Sequence, residues 1–302
     1  MLLFKGLFYM CLLGISWTIY GYVAGKAPKI GIPMSALLLG NAVVSLLVFG
    51  CVCWRAGLPP TDAPVGLTAA LLVLCGLCNY FQLDIMAVAM ARGPNGLIWA
   101  LIQSGLVFPF LVGVLFFGSR VTVLNTFGVA AVVAGILLQG RRKGDALNGK
   151  WLLPALLAFV VTGVTQVTSN MPSYLSGAES IESCWRSLYF TMGLGGGMLL
   201  KNMLWEDGSR RRQTWAQLAH GRTWGYALAL GVVDILGSLF VLYRGMDALA
   251  QAGVGAIAYP VAVAASIIAF ELYAIVCLRE KRSGTQRMAL LLLLIGAVCL
   301  SC

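Results

Sequence analysis

The sequence predicts an all-α integral membrane protein whose ten transmembrane helices fall into two sets of five. Three observations carry that expectation. The 302 residues are 60% apolar and only 11% charged, a composition that excludes a soluble globular domain. The apolar residues gather into ten runs, most of them close to the roughly 20 residues that a spanning helix needs, and none alternates as a membrane barrel strand would. Finally, part of the stretch at positions 87–104 recurs half a chain later. Ala89, Ala91, Gly96 and Ile98 return at the same mutual spacing as Ala248, Ala250, Gly255 and Ile257, and in both copies a short helix-breaking link joins two long apolar runs.

The first run, Leu3 to Ala24, has Lys5 near its start like the charged flank of a signal peptide, but it is long and Ala24-Gly25-Lys26-Ala27 is a poor cleavage site, so it is read as a helix. It carries Ser16, Trp17 and Tyr20, with Gly21 and Gly25 for close helix approach. Ile32 to Trp54 is the second run. The third, Val65 to Met90, holds Asp84 in its last third, beside Asn79, Tyr80 and Gln82. The fourth, Pro94 to Phe117, opens on the breaker Gly93-Pro94-Asn95-Gly96 and then places Trp99 and Gln103 four apart. Val121 to Leu138 closes the first set.

The sixth run, Trp151 to Asn170, has the clearest polar stripe: Thr162, Thr165, Gln166, Ser169 and Asn170 follow steps of three and four and share one helical face. Such groups glue helices together in membranes; five of them also suit a cavity wall. In the seventh run, Ile181 to Leu204, Arg186 has Glu182 one turn earlier, and Gly193, Gly195, Gly196 and Gly197 permit close packing. The eighth, Trp224 to Leu249, contains Ala227 and Gly231, the deepest carboxylate Asp234 with Ser238 one turn on, and the pair Arg244 and Asp247. The ninth, Gly253 to Leu278, echoes the fourth through Tyr259-Pro260, where proline frees a backbone carbonyl, and carries Glu271 in its last third. Ala289 to Ser301 is the tenth.

A charge at the centre of a spanning helix costs roughly 2.5 to 3.5 kcal/mol on the lowest scale, so Asp234, Asp84 and Glu271 are the candidate proton-coupling residues. Each is equally open to a structural ion pair. The neutral and aromatic groups Trp17, Tyr20, Asn79, Trp99, Gln103, Thr162, Gln166, Ser169, Asn170 and Tyr259 are the candidate substrate-binding set.

The net charge of +10 says less than where the charges lie. Lys5, Arg55 and Arg120 fall on the side of the N-terminus. Lys26, Lys29, Arg92, Arg141-Arg142-Lys143, Lys150, Lys201, Arg210-Arg211-Arg212, Arg222, Arg279, Lys281, Arg282 and Arg287 fall on the other. By the positive-inside rule the second side is cytoplasmic and both termini face out of the cell. The loop from Glu206 to Thr223 also carries Trp215 and Leu218 and is read either as lying along the anionic inner leaflet or as a solvated basic loop.

All nine cysteines sit in or at the ends of apolar runs. Cys75-Gly76-Leu77-Cys78 is therefore read as small apolar filler rather than a redox or zinc pair, with His220 the only histidine. Cys299-Leu300-Ser301-Cys302 comes straight off a spanning helix and is discounted as a prenylation box. There is no Walker loop, dinucleotide glycine fingerprint or His-Glu-x-x-His, so no metal or cofactor is expected and any transport is secondary.

The two copies of Ala-rich helix end, Gly-containing link, long helix, charged link and closing helix resemble the drug/metabolite transporter superfamily in its ten-helix, EamA-like form. The charged links are Gly118-Ser119-Arg120 and Arg279-Glu280-Lys281-Arg282, and the closing turns are Ala134-Gly135-Ile136-Leu137-Leu138 and Ile295-Gly296-Ala297-Val298-Cys299. Members often carry Gly-Glu at the charged link; here Ser119 replaces the first Glu and Glu280 keeps the second. Cys78-Asn79-Tyr80-Phe81-Gln82 is similar to the family's sugar-uptake branch. The resemblance implies an inverted 5+5 repeat: residues 1–140 as the first five-helix repeat, 141–150 as a basic loop and 151–302 as the second repeat. In that arrangement the fifth and tenth helices are peripheral to a central cavity. Many members keep their termini inside, the reverse of the charge count.

The expectation is a secondary transporter, and not an enzyme, in the cell's inner (plasma) membrane. It would move a small polar metabolite of the amino acid, sugar or nucleoside class by alternating access. Its partners would be that substrate and membrane lipids, with no nucleic acid, and a homodimer is left open. The alternatives are a membrane-embedded enzyme on a lipid-linked substrate, with Glu179, Glu182 and Arg186 as its one cluster, or a non-transporting scaffold.

Overall fold

The computed structural model describes residues 2–117, 122–140, 150–252, 257–281 and 283–300. The link at 118–120, the basic run at 141–143, Gly255, Arg282 and the terminal Ser301 and Cys302 lie outside the described residues, as do the side chains of Glu179 and Asp247.

Among the described residues every regular element is helical. Apolar runs that offer no water to their backbone must close every N–H and C=O within the segment, and helices do so. They are α1 (Leu2–Lys26), α2 (Met34–Ala56), α3 (Val65–Met90), α4 (Asn95–Gln103), α5 (Val107–Phe117), α6 (Val123–Gly140) and α7 (Leu152–Asn170), followed by α8 (Ser183–Leu204), α9 (Gly208–Gln217), α10 (Gly221–Leu236), α11 (Tyr243–Gln251), α12 (Ala258–Val276) and α13 (Gly284–Leu300).

Seven helical segments are long and apolar enough to cross a membrane: Leu2–Ile30, Met34–Ala56, Val65–Met90, Asn95–Phe116, Leu152–Asn170, Gly221–Met246 and Ala258–Val276. Two shorter apolar helices, Val123–Leu138 and Gly284–Cys299, accompany them. The chain is thus a multi-pass helical membrane protein. Against the ten apolar runs expected, the difference has physical causes: the fifth and tenth runs make short helices, and α8 is diluted by Arg186, Ser187, Thr191, Lys201, Asn202 and its glycines.

Two of the long rods are not regular. Between α4 and α5 the chain tightens into a 3-10 turn at Ser104–Leu106, where Pro109 lacks the N–H that would bond the Gly105 carbonyl. Between α10 and α11 it loosens into a π-helical segment, Gly237–Leu242, the kind of distortion often found at functional sites.

Polarity is arranged for lipid. Phe4, Phe8, Leu47, Leu115, Phe116, Leu153 and Val276 lie exposed on the outside, whereas Asn41, Ser45, Gln103, Thr162, Gln166, Ser187 and Ser266 are buried. Helices approach through small residues. Gly193 on α8 lies against the Val73 backbone and Gly76 on α3 against the Phe190 backbone, so α3 and α8 interlock with no room for a Cβ at either site. The principal pairings are α3 with α8 and α7, α1 with α12 and α11, α2 with α8 and α10, α7 with α4 and α5, and α6 with α13.

Candidate functional site: a polar cavity among the helices

A cavity of about 160 Å³ lies between α1, α3, α4, α7, α8, α10, α11 and α12, lined among others by Trp17, Tyr20, Asn79, Gln82, Trp99, Gln103, Thr162, Thr165, Gln166, Ser169, Ser187, Asp234, Ser238, Tyr243 and Tyr259. Nine of the ten residues expected from sequence to bind substrate line it, together with Asp234; Asn170 does not. The steps of three and four on α7 bring Thr162, Thr165, Gln166 and Ser169 to one wall. The π-helical segment turns Gly237, Ser238 and Leu242 toward the opposite one.

Among the described residues Asp234 is the only carboxylate on the lining, and no Lys, Arg or His lines it. One carboxylate oxygen accepts from the Tyr20 hydroxyl and the other accepts from Asn41 Nδ2 at 2.7 Å, while Asn41 Oδ1 accepts from Ser45 at 3.2 Å. Its partners are therefore neutral donors from α1 and α2.

The threonine stripe has a consequence for polarity. Thr162 donates its hydroxyl proton to the Ala158 carbonyl at 2.7 Å and Thr165 donates to Val161 at 2.9 Å; across the cavity Ser187 donates to Ser183 at 2.7 Å. With the proton spent on their own helix, these three oxygens retain only lone pairs. Ser169 and Tyr259 share a hydrogen bond of 2.7 Å. Two polar atoms of lining residues are buried and unpartnered: the Gln166 carbonyl oxygen and the Trp99 indole N–H. Trp17 and Tyr259 form an aromatic pair with centroids 6.4 Å apart, and Trp99 packs on Phe270 at 5.1 Å.

The structure does not bring the other two carboxylates of the expected set to the cavity. Asp84 pairs with Lys201 at 2.8 Å, and Lys201 also lies 3.5 Å from Glu206. This cluster borders a second hollow, about 390 Å³, with Arg92 and Arg210. Glu271 is buried on α12 and is not on the cavity lining. Arg186 is not paired with Glu182: its guanidinium donates to the Ala178 carbonyl and lies 5.4 Å from the Tyr243 ring centre, while Glu182 accepts from the Cys184 thiol. Arg244 lies over the Phe240 ring.

The basic end of the bundle is tied by polar contacts. Glu280 accepts the backbone N–H of Asn95 at 2.9 Å and of Gly96 at 3.4 Å, occupying the otherwise open N-terminus of α4. Arg279 adopts a left-handed conformation (φ 52°) that turns the chain to allow this. The loop from Glu206 to Thr223 folds into α9, whose Thr214 is buried and hydrogen-bonded to Ser35 at 3.0 Å; Trp215 remains half exposed. One face of α9 thus packs on protein.

Sequence reasoning missed Asn41. It is the sole amide of the second run and wholly buried, and an amide at that depth is itself a signal.

A multi-pass helical bundle enclosing a polar, aromatic-walled cavity with one carboxylate defines the class of the protein. No protein-family model matches the chain, and no curated protein matches it. Among solved structures 26 chains match. One, described only as "Crystal structure of protein", aligns with a TM-score of 0.53 at 16% identity, covering 99% of this chain and 95% of that one. At that identity the likeness shows a shared fold and nothing of activity.

Proposed function

We propose that the protein is a secondary transporter of a small polar metabolite, working by alternating access, with Asp234 as its coupling carboxylate and the cavity as its binding site. The observation that carries this reading is the cavity itself: a space at the meeting of helices from both halves of the chain, whose lining includes amide, hydroxyl and carboxyl groups that are costly to keep in a lipid-embedded bundle. Its volume accommodates on the order of ten waters, the scale of a small solute.

The pairing of helices supports an inverted five-plus-five repeat of ten spans, and with it membership of the EamA-like drug/metabolite transporters. Exchanging the halves turns α1 on α12 into α7 on α4 and α5, α3 on α8 into α10 on α2, and α3 on α7 into α11 on α1. The pairs α2 with α8 and α6 with α13 map onto themselves. Repeats of this kind rock around a fixed central site. The basic end is read as cytoplasmic, in the inner (plasma) membrane.

The test is uptake of labelled sugars, amino acids, nucleosides and small amines into proteoliposomes, with and without a pH gradient, for wild type and Asp234→Asn. Accumulation that follows the gradient and is lost in the variant is expected. A wild-type protein that moves none of the panel overturns the reading.

A further inference from the structure

We propose that the cargo is a small organic cation, an amine or ammonium compound, held by Asp234 and an aromatic wall. This rests on the transporter reading and narrows its substrate class.

Asp234 brings a negative charge to a lining with no basic residue, and its hydrogen bonds from Tyr20 and Asn41 occupy one acceptor position on each oxygen, leaving others for a guest. Thr162, Thr165 and Ser187 have spent their protons on their own helices and offer lone pairs only. The Gln166 carbonyl oxygen is buried without a donor. These groups ask for hydrogen-bond donors and positive charge. The Trp99 indole N–H is a buried, unpartnered donor, and the amides of Asn79, Gln82 and Gln103 add donors for acceptors on the guest. A neutral polyol carries as many acceptors as donors and leaves the carboxylate uncompensated; an anion meets Asp234 directly.

The walls agree. Trp17, Tyr20 and Tyr259 line the cavity together with Asp234, and aromatic rings attract cations electrostatically, most strongly when water is excluded. The contrast with Asp84 sharpens the point. That carboxylate already has its cation in Lys201, whereas Asp234 has only neutral donors. A guest cation would complete a cavity carboxylate that the fold meets with neutral donors.

The experiment uses pairs of solutes that differ by one ammonium group for one hydroxyl: ethanolamine and ethylene glycol, benzylamine and benzyl alcohol. Binding to the purified full chain is followed by tryptophan fluorescence, to which Trp17 and Trp99 report from the lining, and uptake is followed in proteoliposomes. The amine of at least one pair is expected to bind about 10- to 100-fold more tightly than its alcohol, the range for a charge-assisted hydrogen bond. Asp234→Asn should erase the preference, and Asp234→Glu should keep it with an unchanged elution profile as the check on folding. Equal binding within every pair, tighter binding of the alcohols, or a preference that survives Asp234→Asn overturns the proposal. The transporter reading fails separately: if neutral sugars accumulate and amines neither accumulate nor compete, the protein transports but the cargo class is wrong, and if nothing accumulates, the transporter reading falls too.

Discussion

Asp84 and Asp234 are the same residue in two apolar runs, and the fold treats them oppositely. Asp84 stands at the basic end against Lys201, with Glu206 close by; Asp234 stands in the cavity against a phenol and an amide. A carboxylate that has lost its water needs compensation from charge or from donated hydrogen bonds. The first choice fixes a contact between α3 and α8; the second leaves a charge ready to be neutralised by a proton or a guest. Depth within a run told neither apart. The partner did.

The largest expected effect separates the two by function. Asp234→Asn should reduce transport by about 10- to 100-fold, while Asp84→Asn should leave more than half of it, both measured as initial uptake rates in proteoliposomes. If Asp84→Asn silences transport while the protein stays folded, the ion pair is part of the transport cycle and the contrast collapses.

Next comes stability. Lys201→Met removes the partner of Asp84. Because the pair keeps 23% and 18% of its side-chain surface exposed, the cost should fall below that of a fully buried pair, about 1 to 3 kcal/mol. A lowered melting temperature in detergent, largely restored in the Asp84→Asn/Lys201→Met double variant, is expected. A double variant as unstable as Lys201→Met alone would mean that Lys201 supports the fold through Glu206.

A smaller effect tests the neutral shell. Tyr20→Phe or Asn41→Leu removes one donor from Asp234 and should shift the proton competition at the site, changing half-saturation by about 3- to 10-fold with little change in maximal rate. Either variant behaving as Asp234→Asn does would show that the shell positions the carboxylate as well as stabilising it.

These distinctions mark how far the sequence could be read. The helical class, the multi-pass character and the wall formed by Thr162, Thr165, Gln166 and Ser169 follow from apolar length and from steps of three and four along one helix. Distant partners do not: Asn41 to Asp234, Asp84 to Lys201 and Asn95 to Glu280 join residues more than a hundred positions apart, and their pairing is a property of packing. The expected pairing of Arg186 with Glu182 fails for the same reason. Helical spacing made contact feasible, while the Ala178 carbonyl and the Tyr243 ring took the guanidinium instead. The π-helical segment at Gly237–Leu242 has no residue that announces it.

A third aspartate, in water, completes the series with the smallest effect. Asp207 caps α9, its carboxylate accepting the Arg210 backbone N–H at 2.8 Å and the Ser209 hydroxyl at 2.7 Å. The Arg210 amide, with help from Ser209, holds the carboxyl below its ordinary value of 3.8. A group whose folded pKa is depressed stabilises the folded form above its unfolded pKa and loses that contribution as the pH falls through the folded value. Hydrogen-exchange protection of the first turn of α9, corrected for intrinsic exchange, should therefore be constant from neutrality down to about pH 4 and weaken below it. Asp207→Asn, which still offers a capping oxygen, should remove most of that dependence while keeping the helix. Protection that instead weakens well above that range in wild type would place its control with another group of the basic end, the Glu206 and Lys201 contact being the nearest in sequence.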